Sequence, residues 1–257
     1  RAEFRLWKEG DTLSYAMGAA DKKSTLCIDA CPKVDLKIAV LMPELLKAIE
    51  SSSILREKIF SIEFLCTSEH LLVTLLYHKP LHVAWDEEAK ILEQRFGIGI
   101  IGRSRGIKRV LSRDFAEECL EIAGRTYRYR VFEGGFSQPN RAINRAMIAW
   151  VLEQMSECED LLELYCGYGN FTIPLASKFQ KVLATEISKT SIKSALINCE
   201  LNDVHTISFL RMSAEELTSA LNHERTFNRL AHLDLDAYRF SHVFVDPPRS
   251  GMDEKSL

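Results

Sequence analysis

Long apolar runs are missing from this 257-residue chain. Its hydrophobic content is 46%, yet no stretch approaches the roughly 20 consecutive apolar residues of a membrane span. The opening Arg1-Ala2-Glu3-Phe4-Arg5 lacks the apolar core of a signal peptide. Metal-ligand spacing is missing too. The seven cysteines are odd in number, and the one close pair, Cys27 and Cys31, has no second pair or histidine beside it. No metal is expected; buried thiols in a reduced, cytoplasmic setting are. An excess of positive charge is also absent: 33 Lys and Arg face 36 Asp and Glu, a net charge of −3. That excludes a simple basic nucleic-acid binder. No internal repeat or low-complexity segment stands out.

What charge there is lies unevenly. Residues 1–140 carry 21 Lys and Arg against 20 Asp and Glu, which leaves 12 against 16 for the remainder. Arg103, Arg105, Lys108, Arg109 and Arg113 cluster, and Arg125, Arg128 and Arg130 follow. Such a cluster suits phosphates, and it equally suits a strand edge kept from pairing by charge. The first residues read as the middle of a strand, and the last five follow directly on a motif. The sequence is therefore expected to begin and end inside a longer protein.

Periodicity divides the chain. Phe4–Trp7 and Leu13–Met17 flank the polar turn Lys8-Glu9-Gly10-Asp11 as a hairpin, with Ser24–Asp29 as a third strand. Ile38, Leu41, Met42, Leu45, Leu46 and Ile49 recur at helical spacing. Phe60–Cys66 and Leu71–Tyr77 form a strand pair, Trp85–Phe96 a helix, and Ile98–Ile101 and Val110–Leu111 further strands. Residues 1–125 thus read as an α+β domain with a mostly antiparallel sheet. Residues 126–158 are a linker, with a glycine- and proline-marked loop and a helix capped by Asn140. That helix places Ile143, Met147, Trp150, Val151 and Met155 on one face. From 159 to 257 strand and helix alternate. Strands are Leu161–Tyr165, Lys181–Thr185, Ile207–Leu210 and Val243–Val245, and helices are Phe171–Phe179, Thr190–Leu201 and Ala214–Leu221. This is an α/β, Rossmann-like parallel sheet. Residues 222–241 interrupt it and read as a surface excursion.

Ligands of such sheets bind beyond the carboxyl ends of the strands. Three successive strand ends here carry polar markers. The first is Tyr165-Cys166-Gly167-Tyr168-Gly169-Asn170, where two glycines permit unusual torsions and close approach of a ligand to the main chain. The second is Glu186, a carboxylate suited to ribose hydroxyls. The third is Asp246-Pro247-Pro248-Arg249-Ser250-Gly251, an acidic loop stiffened by prolines. The glycine loop lacks the third glycine of the dinucleotide fingerprint. The helix after it is expected to aim free N–H groups at the ligand.

The segments Leu161–Phe171, Thr185-Glu186 and Val245–Gly251, with Phe136-Ser137-Gln138-Pro139-Asn140 as an F-x-Q-x-N motif, resemble the AdoMet-dependent RNA uracil-5-methyltransferases. The segment Phe227-Asn228-Arg229-Leu230 resembles the tRNA branch, which forms 5-methyluridine in the T-loop. The resemblance covers essentially the whole chain. It implies a class I methyltransferase domain preceded by an RNA-binding domain, with S-adenosyl-L-methionine (AdoMet) as cofactor and the tRNA T-arm as partner of a monomeric enzyme. Gln138, Tyr165, Asn170, Glu186 and Asp246 would line the AdoMet pocket, with Gly167 and Gly169 beneath the methionine part. Phe136 would lie near the target base, and Arg5, Phe60 and His78 match positions of tRNA contact. Each of these three has a plain structural reading as well: Phe60 as a core aromatic, His78 as a satisfied strand-end residue, Arg5 as a solvent-facing strand residue.

In that family a cysteine thiolate adds to uracil C6, C5 attacks the AdoMet methyl, and a base removes the C5 proton. The resemblance places both the nucleophilic Cys and the base Glu after Leu257. Cys166, inside the cofactor loop, is not their substitute. The chain as given is therefore expected to bind AdoMet weakly or partly and not to turn over. Other readings stay open: an rRNA uracil-5-methyltransferase, an RNA-binding protein with a degenerate methyltransferase domain, and an NAD-dependent oxidoreductase. The missing third glycine and the Asp246–Gly251 loop oppose the last.

Overall fold

A computed structural model describes residues 1–19, 24–249 and 251–252. The chain forms two units, Arg1–Glu118 and Cys119–Leu257.

The first unit holds β1 (Ala2–Glu9), β2 (Thr12–Gly18), β3 (Thr25–Ile28), α1 (Leu36–Ser51), β4 (Ile59–Cys66), β5 (Leu71–Tyr77), α2 (Val83–Phe96), β6 (Gly99–Ser104) and β7 (Ile107–Val110). The strands make one seven-stranded sheet in the order β3-β2-β1-β4-β5-β6-β7. All neighbours are antiparallel except β5 and β6, which α2 connects and which run parallel. Alternation sets the inner face. Phe4, Leu13, Tyr15, Ile62, Phe64, Val73 and Leu75 join Ile38, Met42, Leu45 and Ile49 of α1 and Trp85, Ala89 and Leu92 of α2 in one core. The helical spacing read from 38 to 49 is this buried stripe.

Gly102 of β6 lets α2 approach. A Cβ there would lie 2.5 Å from the Trp85 ring and 2.6 Å from Leu81. The Trp85 ring is itself fully buried and has nowhere to go. Gly102→Ala should therefore destabilise the protein by about 1–3 kcal/mol through overpacking, read as a lowered midpoint in urea unfolding.

The basic cluster falls at the sheet's edge. Lys108 and Arg109 lie on the edge strand β7, and they pair with Asp114 at 2.9 Å and Asp86 at 2.9 Å. Of the seven cysteines, only Cys166 and Cys199 are buried and Cys27 is exposed, so the expectation of generally buried thiols is corrected.

The division between the units falls within β8 (Phe115–Ile122), which pairs with β9 (Arg125–Phe132) in a two-stranded sheet. Then come α3 (Arg141–Gln154), β10 (Asp160–Leu164), α4 (Thr172–Leu175), β11 (Lys181–Thr185), α5 (Lys189–Leu201), β12 (Ile207–Leu210), α6 (Ala214–Leu221) and β13 (Phe240–Val245). β10 to β13 form a parallel sheet in the order β12-β11-β10-β13. The order reverses beside β10, which puts the strand ends of β10, β11 and β13 at the switch point of a doubly wound fold.

Several expectations need correction. Asn140 does cap α3, its Oδ1 accepting from Ile143 N at 3.1 Å. The buried face of α3, however, is Asn144, Ile148, Val151 and Leu152. Ile143 and Trp150 are exposed, Trp150 at 62%, because the stripe at i, i+4, i+7 and i+8 starts one residue later than the aromatic suggests. The helix expected over 171–179 is a four-residue α4 followed by a 3-10 turn, Ala176–Lys178. Pro174, in the first turn, has no N–H for Asn170 O, and that carbonyl accepts from Tyr129 Oη at 3.1 Å. Residues 222–241 do lie mostly at the surface, with a few apolar anchors beneath them. Leu230 is buried, and Phe227, Leu233, Leu235 and Tyr238 pack against Leu162, Leu164, Leu183, Leu210 and Leu217.

Asp160 ties the starts of three strands together. It is buried. Its Oδ1 accepts from Lys181 N at 3.1 Å and its Oδ2 from Arg239 N at 2.8 Å. These are the first residue of β11 and the residue before β13.

Candidate functional site

The loop after β10 is shaped by backbone torsion. Tyr165, Gly167 and Gly169 have φ of +62°, +57° and +86°. For the glycines this is easy; for a tyrosine it is a strained conformation, of the kind that concentrates at binding sites. A Cβ on Gly167 would meet nothing within 4 Å, so the main chain there faces open space. A Cβ on Gly169 would stand 3.2 Å from Ile173. Cys166 N donates to Thr185 O at 3.0 Å, and Gly169 N to Cys166 O at 3.0 Å.

Glu186, just past β11, reaches back to this loop. Its Oε2 accepts from Gly167 N at 3.2 Å and its Oε1 from Ser188 N at 2.7 Å. The carboxylate therefore fixes the loop as well as presenting charge at the strand end. Past β13, Asp246 Oδ2 accepts from Gln138 Nε2 at 3.3 Å. Burial lifts the Asp246 carboxyl above its ordinary range, and the Gln138 hydrogen bond holds it down in part. Of the Asp246–Gly251 loop, Ser250 lies outside the described residues.

Asn170 is buried and makes a reciprocal amide pair with Asn144 of α3: Asn144 Nδ2 donates to Asn170 Oδ1 and Asn170 Nδ2 to Asn144 Oδ1, both at 2.9 Å. Tyr168 Oη adds a third bond to Asn170 Oδ1 at 3.1 Å. Asn198 of α5 donates from Nδ2 to Tyr168 O at 3.0 Å and accepts at Oδ1 from Arg130 N at 2.7 Å. One turn on, Asn202 treats Arg128 of β9 the same way: Oδ1 accepts from Arg128 N at 2.9 Å and Nδ2 donates to Arg128 O at 2.6 Å. Two asparagine amides thus stand where a further strand would pair with β9.

The structure brings together Gln138 with Asp246, and Glu186 with Gly167, at one end of the parallel sheet. Tyr165 and Asn170 bracket the same loop. Phe136 sits on the loop after β9 and is 70% exposed. In the first unit Phe60 and His78 stack, with ring centroids 4.0 Å apart and planes 14° apart. Arg5 is exposed on β1 and pairs in register with Ser61, next to Phe60. These three thus share one region of β1, β4 and β5. His78 exposes its ring and Phe60 is half-buried, so Phe60 is not a core aromatic.

Two buried groups complete the site. Burial pushes the Cys166 thiol well up, and the charges of Glu163 and Glu186 add to this. Such a thiol is a poor nucleophile, because the thiolate is the reactive form. Glu163 of β10 is only 2% exposed. Its Oε2 has no hydrogen-bond partner, nor does the hydroxyl of the nearby Thr172. Burial raises the Glu163 carboxyl to about 8; Thr172 opposes the shift and the charge of Asp246 adds to it. Sequence reasoning missed Asn144, Asn198 and Glu163 as parts of the site. A polar residue in an apolar helix stripe was the available signal for the two asparagines, and an acid inside a buried strand for Glu163.

A glycine loop held by a carboxylate from the next strand, facing an acidic Pro-Pro loop, is the arrangement expected of an adenosine-ligand site. The sequence model for the tRNA (uracil-5-)-methyltransferases matches residues 1–257. The chain belongs to this family. The tRNA/tmRNA (uracil-C(5))-methyltransferase of Stutzerimonas stutzeri is 51% identical over 256 residues, which cover 98% of this chain and 71% of that protein. Its counterpart in Campylobacter concisus is 50% identical over 257 residues, covering 100% of this chain and 70% of that protein. Among solved structures, the Pyrococcus abyssi tRNA (uracil-54, C5)-methyltransferase, in complex with S-adenosyl-L-homocysteine, superposes with a TM-score of 0.70. At 18% identity this match, covering all of this chain and 62% of that one, establishes the shared fold. Among the described residues no helix is long and apolar enough to cross a membrane, and no cluster of His, Cys, Asp and Glu could hold a metal ion.

Proposed function

We propose that the protein binds AdoMet on the loop from Tyr165 to Asn170 and methylates C5 of a uracil in the T-arm of tRNA, giving 5-methyluridine. The observation that carries this reading is the convergence of Gly167, Glu186, Asp246 and Gln138 at one sheet end in a chain of this family. AdoMet, when bound, supplies an electrophilic methyl group on a sulfonium. The residues fit such a ligand. Gly167 opens the main chain to close approach, Glu186 offers its carboxylate to ribose hydroxyls, and Asp246 and Gln138 offer a paired acceptor and amide across the loop. Tyr165 and Asn170 hold the loop's two ends.

Uracil C5 is a weak nucleophile. A cysteine thiolate adding to C6 turns it enolate-like; after methyl transfer a base takes the C5 proton and the cysteine departs. The resemblance assigns nucleophile and base to residues after Leu257. The raised Cys166 keeps its proton and takes no such role. Phe136, exposed on its loop, offers an aromatic face on which an extruded base would stack. The Phe60–His78 stack with Arg5 suits an RNA strand, an aromatic face beside a cation.

The full-length protein should release tritium from C5-labelled uridine in tRNA. Release should vanish when the T-arm uridine is replaced by cytidine. Methylation unaffected by that replacement would refute the T-arm assignment. For the cofactor, Glu186→Ala should weaken AdoMet binding about tenfold or more, some 1.4 kcal/mol, because charge and the anchor on Gly167 N go together. Glu186→Gln, which keeps an acceptor, should lose less. Calorimetric titration decides, and NAD in place of AdoMet should give no heat of binding.

A further inference from the structure

The outer face of the first unit's sheet carries a pattern that the cofactor site leaves unused. Phe4, Ile62, Val73, Leu75 and Ile100 point into the core, so residues of the opposite parity look outward. Cross-strand partners put Arg5 beside Ser61, Ser61 beside Leu76, Leu76 beside Arg103 and Arg103 beside Lys108. One outward row thus carries cations on β1, β6 and β7. With strands about 4.8 Å apart, Arg5 and Arg103 are about 14 Å apart along it. Arg109, next to Lys108, turns inward to Asp86 of α2, so the basic cluster of the sequence is divided between the two faces. Trp7 follows Arg5 on the outward side of β1, opposite Ser14 of β2, and is 50% exposed. Past Ser61 the register with β5 slips: Ile59 pairs with Tyr77 but Ser61 with Leu76. Phe60 is the extra residue, and a bulge of this kind re-aims a side chain. Its ring stacks on His78. Acids of this face are already engaged. Glu3 accepts from Ser61 Oγ at 3.1 Å, Glu63 pairs with Arg1, and Asp114 pairs with Lys108.

We infer that Trp7 is a stacking platform for a base of the T-arm and that Arg103 holds a phosphate of the same RNA. This rests on the tRNA reading above and adds Trp7 and Arg103 to it. A single exposed apolar side chain needs no explanation. Here, however, the indole lies two residues from Arg5, on the same side of the cation row as the Phe60–His78 stack. RNA supplies both partners at once: flat bases that stack on aromatic faces and phosphates that pair with cations. The guanidinium of Arg103 is a planar fork able to bond a phosphate at two oxygens. An apolar partner would want a wider apolar patch than one indole.

The test is binding of a T-arm stem-loop RNA to the full-length protein, read by tryptophan fluorescence at several salt concentrations. Of the three tryptophans in residues 1–257, Trp85 is buried and Trp150 lies exposed on α3. RNA should quench the wild-type emission. Trp7→Phe should lose most of that quenching and still bind with nearly wild-type affinity, while Trp150→Phe should keep the quenching. Trp7→Leu retains bulk without the aromatic face. It should weaken RNA binding about tenfold or more and raise KM for tRNA with little change in kcat. Arg103→Gln should flatten the slope of log affinity against log salt by about 1. AdoMet should titrate into each variant as into the wild type. Quenching that survives in Trp7→Phe overturns the inference and leaves the tRNA reading standing. So does Trp7→Leu or Arg103→Gln binding RNA as the wild type does. An equal loss of AdoMet affinity would reduce these residues to a structural role and overturn it too. Wild-type protein that binds no T-arm RNA sinks the tRNA reading with it.

Discussion

Replacing Glu163 by Gln should raise the melting temperature of the ligand-free protein at pH 8 and leave it nearly unchanged at pH 5. The sign follows from linkage. The folded carboxyl sits at about 8, above its ordinary 4.5. Between those values the unfolded chain has lost the proton that the folded chain retains. The stability contributed by the neutral form is whole below the unfolded value, and it is lost as pH rises toward the folded one. The loss runs at about 1.4 kcal/mol per pH unit. Glutamine has nearly the same shape and cannot ionise, so it removes the dependence. Urea unfolding of both proteins from pH 5 to 8 measures this. Parallel stability curves would mean that Glu163 ionises in the fold as freely as in water.

Asn170→Ala should be the most damaging substitution at the site for its size. It leaves both amide groups of Asn144 without their partner in a buried setting, and takes one acceptor from the part-buried Tyr168 hydroxyl. Unsatisfied buried polar groups cost about 1–3 kcal/mol each, so a loss of about 3 kcal/mol in stability is expected. AdoMet affinity should fall too, because Asn170 closes the glycine loop. Asn144→Ala should cost a similar amount although it lies outside the loop. The double variant should then cost clearly less than the sum, since each single change already orphans the other amide. Additive losses in urea unfolding would contradict a coupled pair.

Much of this was legible in the sequence because the residues involved act locally. Gly167 and Gly169 announce a turn wherever they occur, and Leu161, Leu162 and Leu164 announce a buried strand. The alternation in β1 and β2 reads directly as a sheet face, and the apolar runs of β4 and β5 as central strands. What stayed hidden depends on distant partners. The reciprocal pair of Asn144 and Asn170 joins two elements 26 residues apart. The Asn170 carbonyl, which Pro174 cannot serve, is taken by a tyrosine, Tyr129, 41 residues away. Segment 222–241 is the surface excursion its polar composition suggests, but its anchors Phe227, Leu230, Leu233, Leu235 and Tyr238 are spaced too irregularly to be read beforehand. The α3 stripe was misjudged because Trp150 drew the face toward itself. A large apolar side chain is a weaker guide than the full i, i+4, i+7 pattern.

The asparagine ladder on β9 also has a consequence for how the chain is made. Arg128 and Arg130 receive their edge partners from residues 74 and 68 positions later. Until the ribosome has released α5, the outer edge of β9 has donors and acceptors with nothing to satisfy them, and such an edge invites pairing with another nascent chain. The hairpin itself closes locally, but the covering of its outer edge waits for a distant helix and is a non-local event. Substituting Asn198 or Asn202 would therefore lower the yield of soluble protein at high expression more than it lowers the stability of molecules already folded.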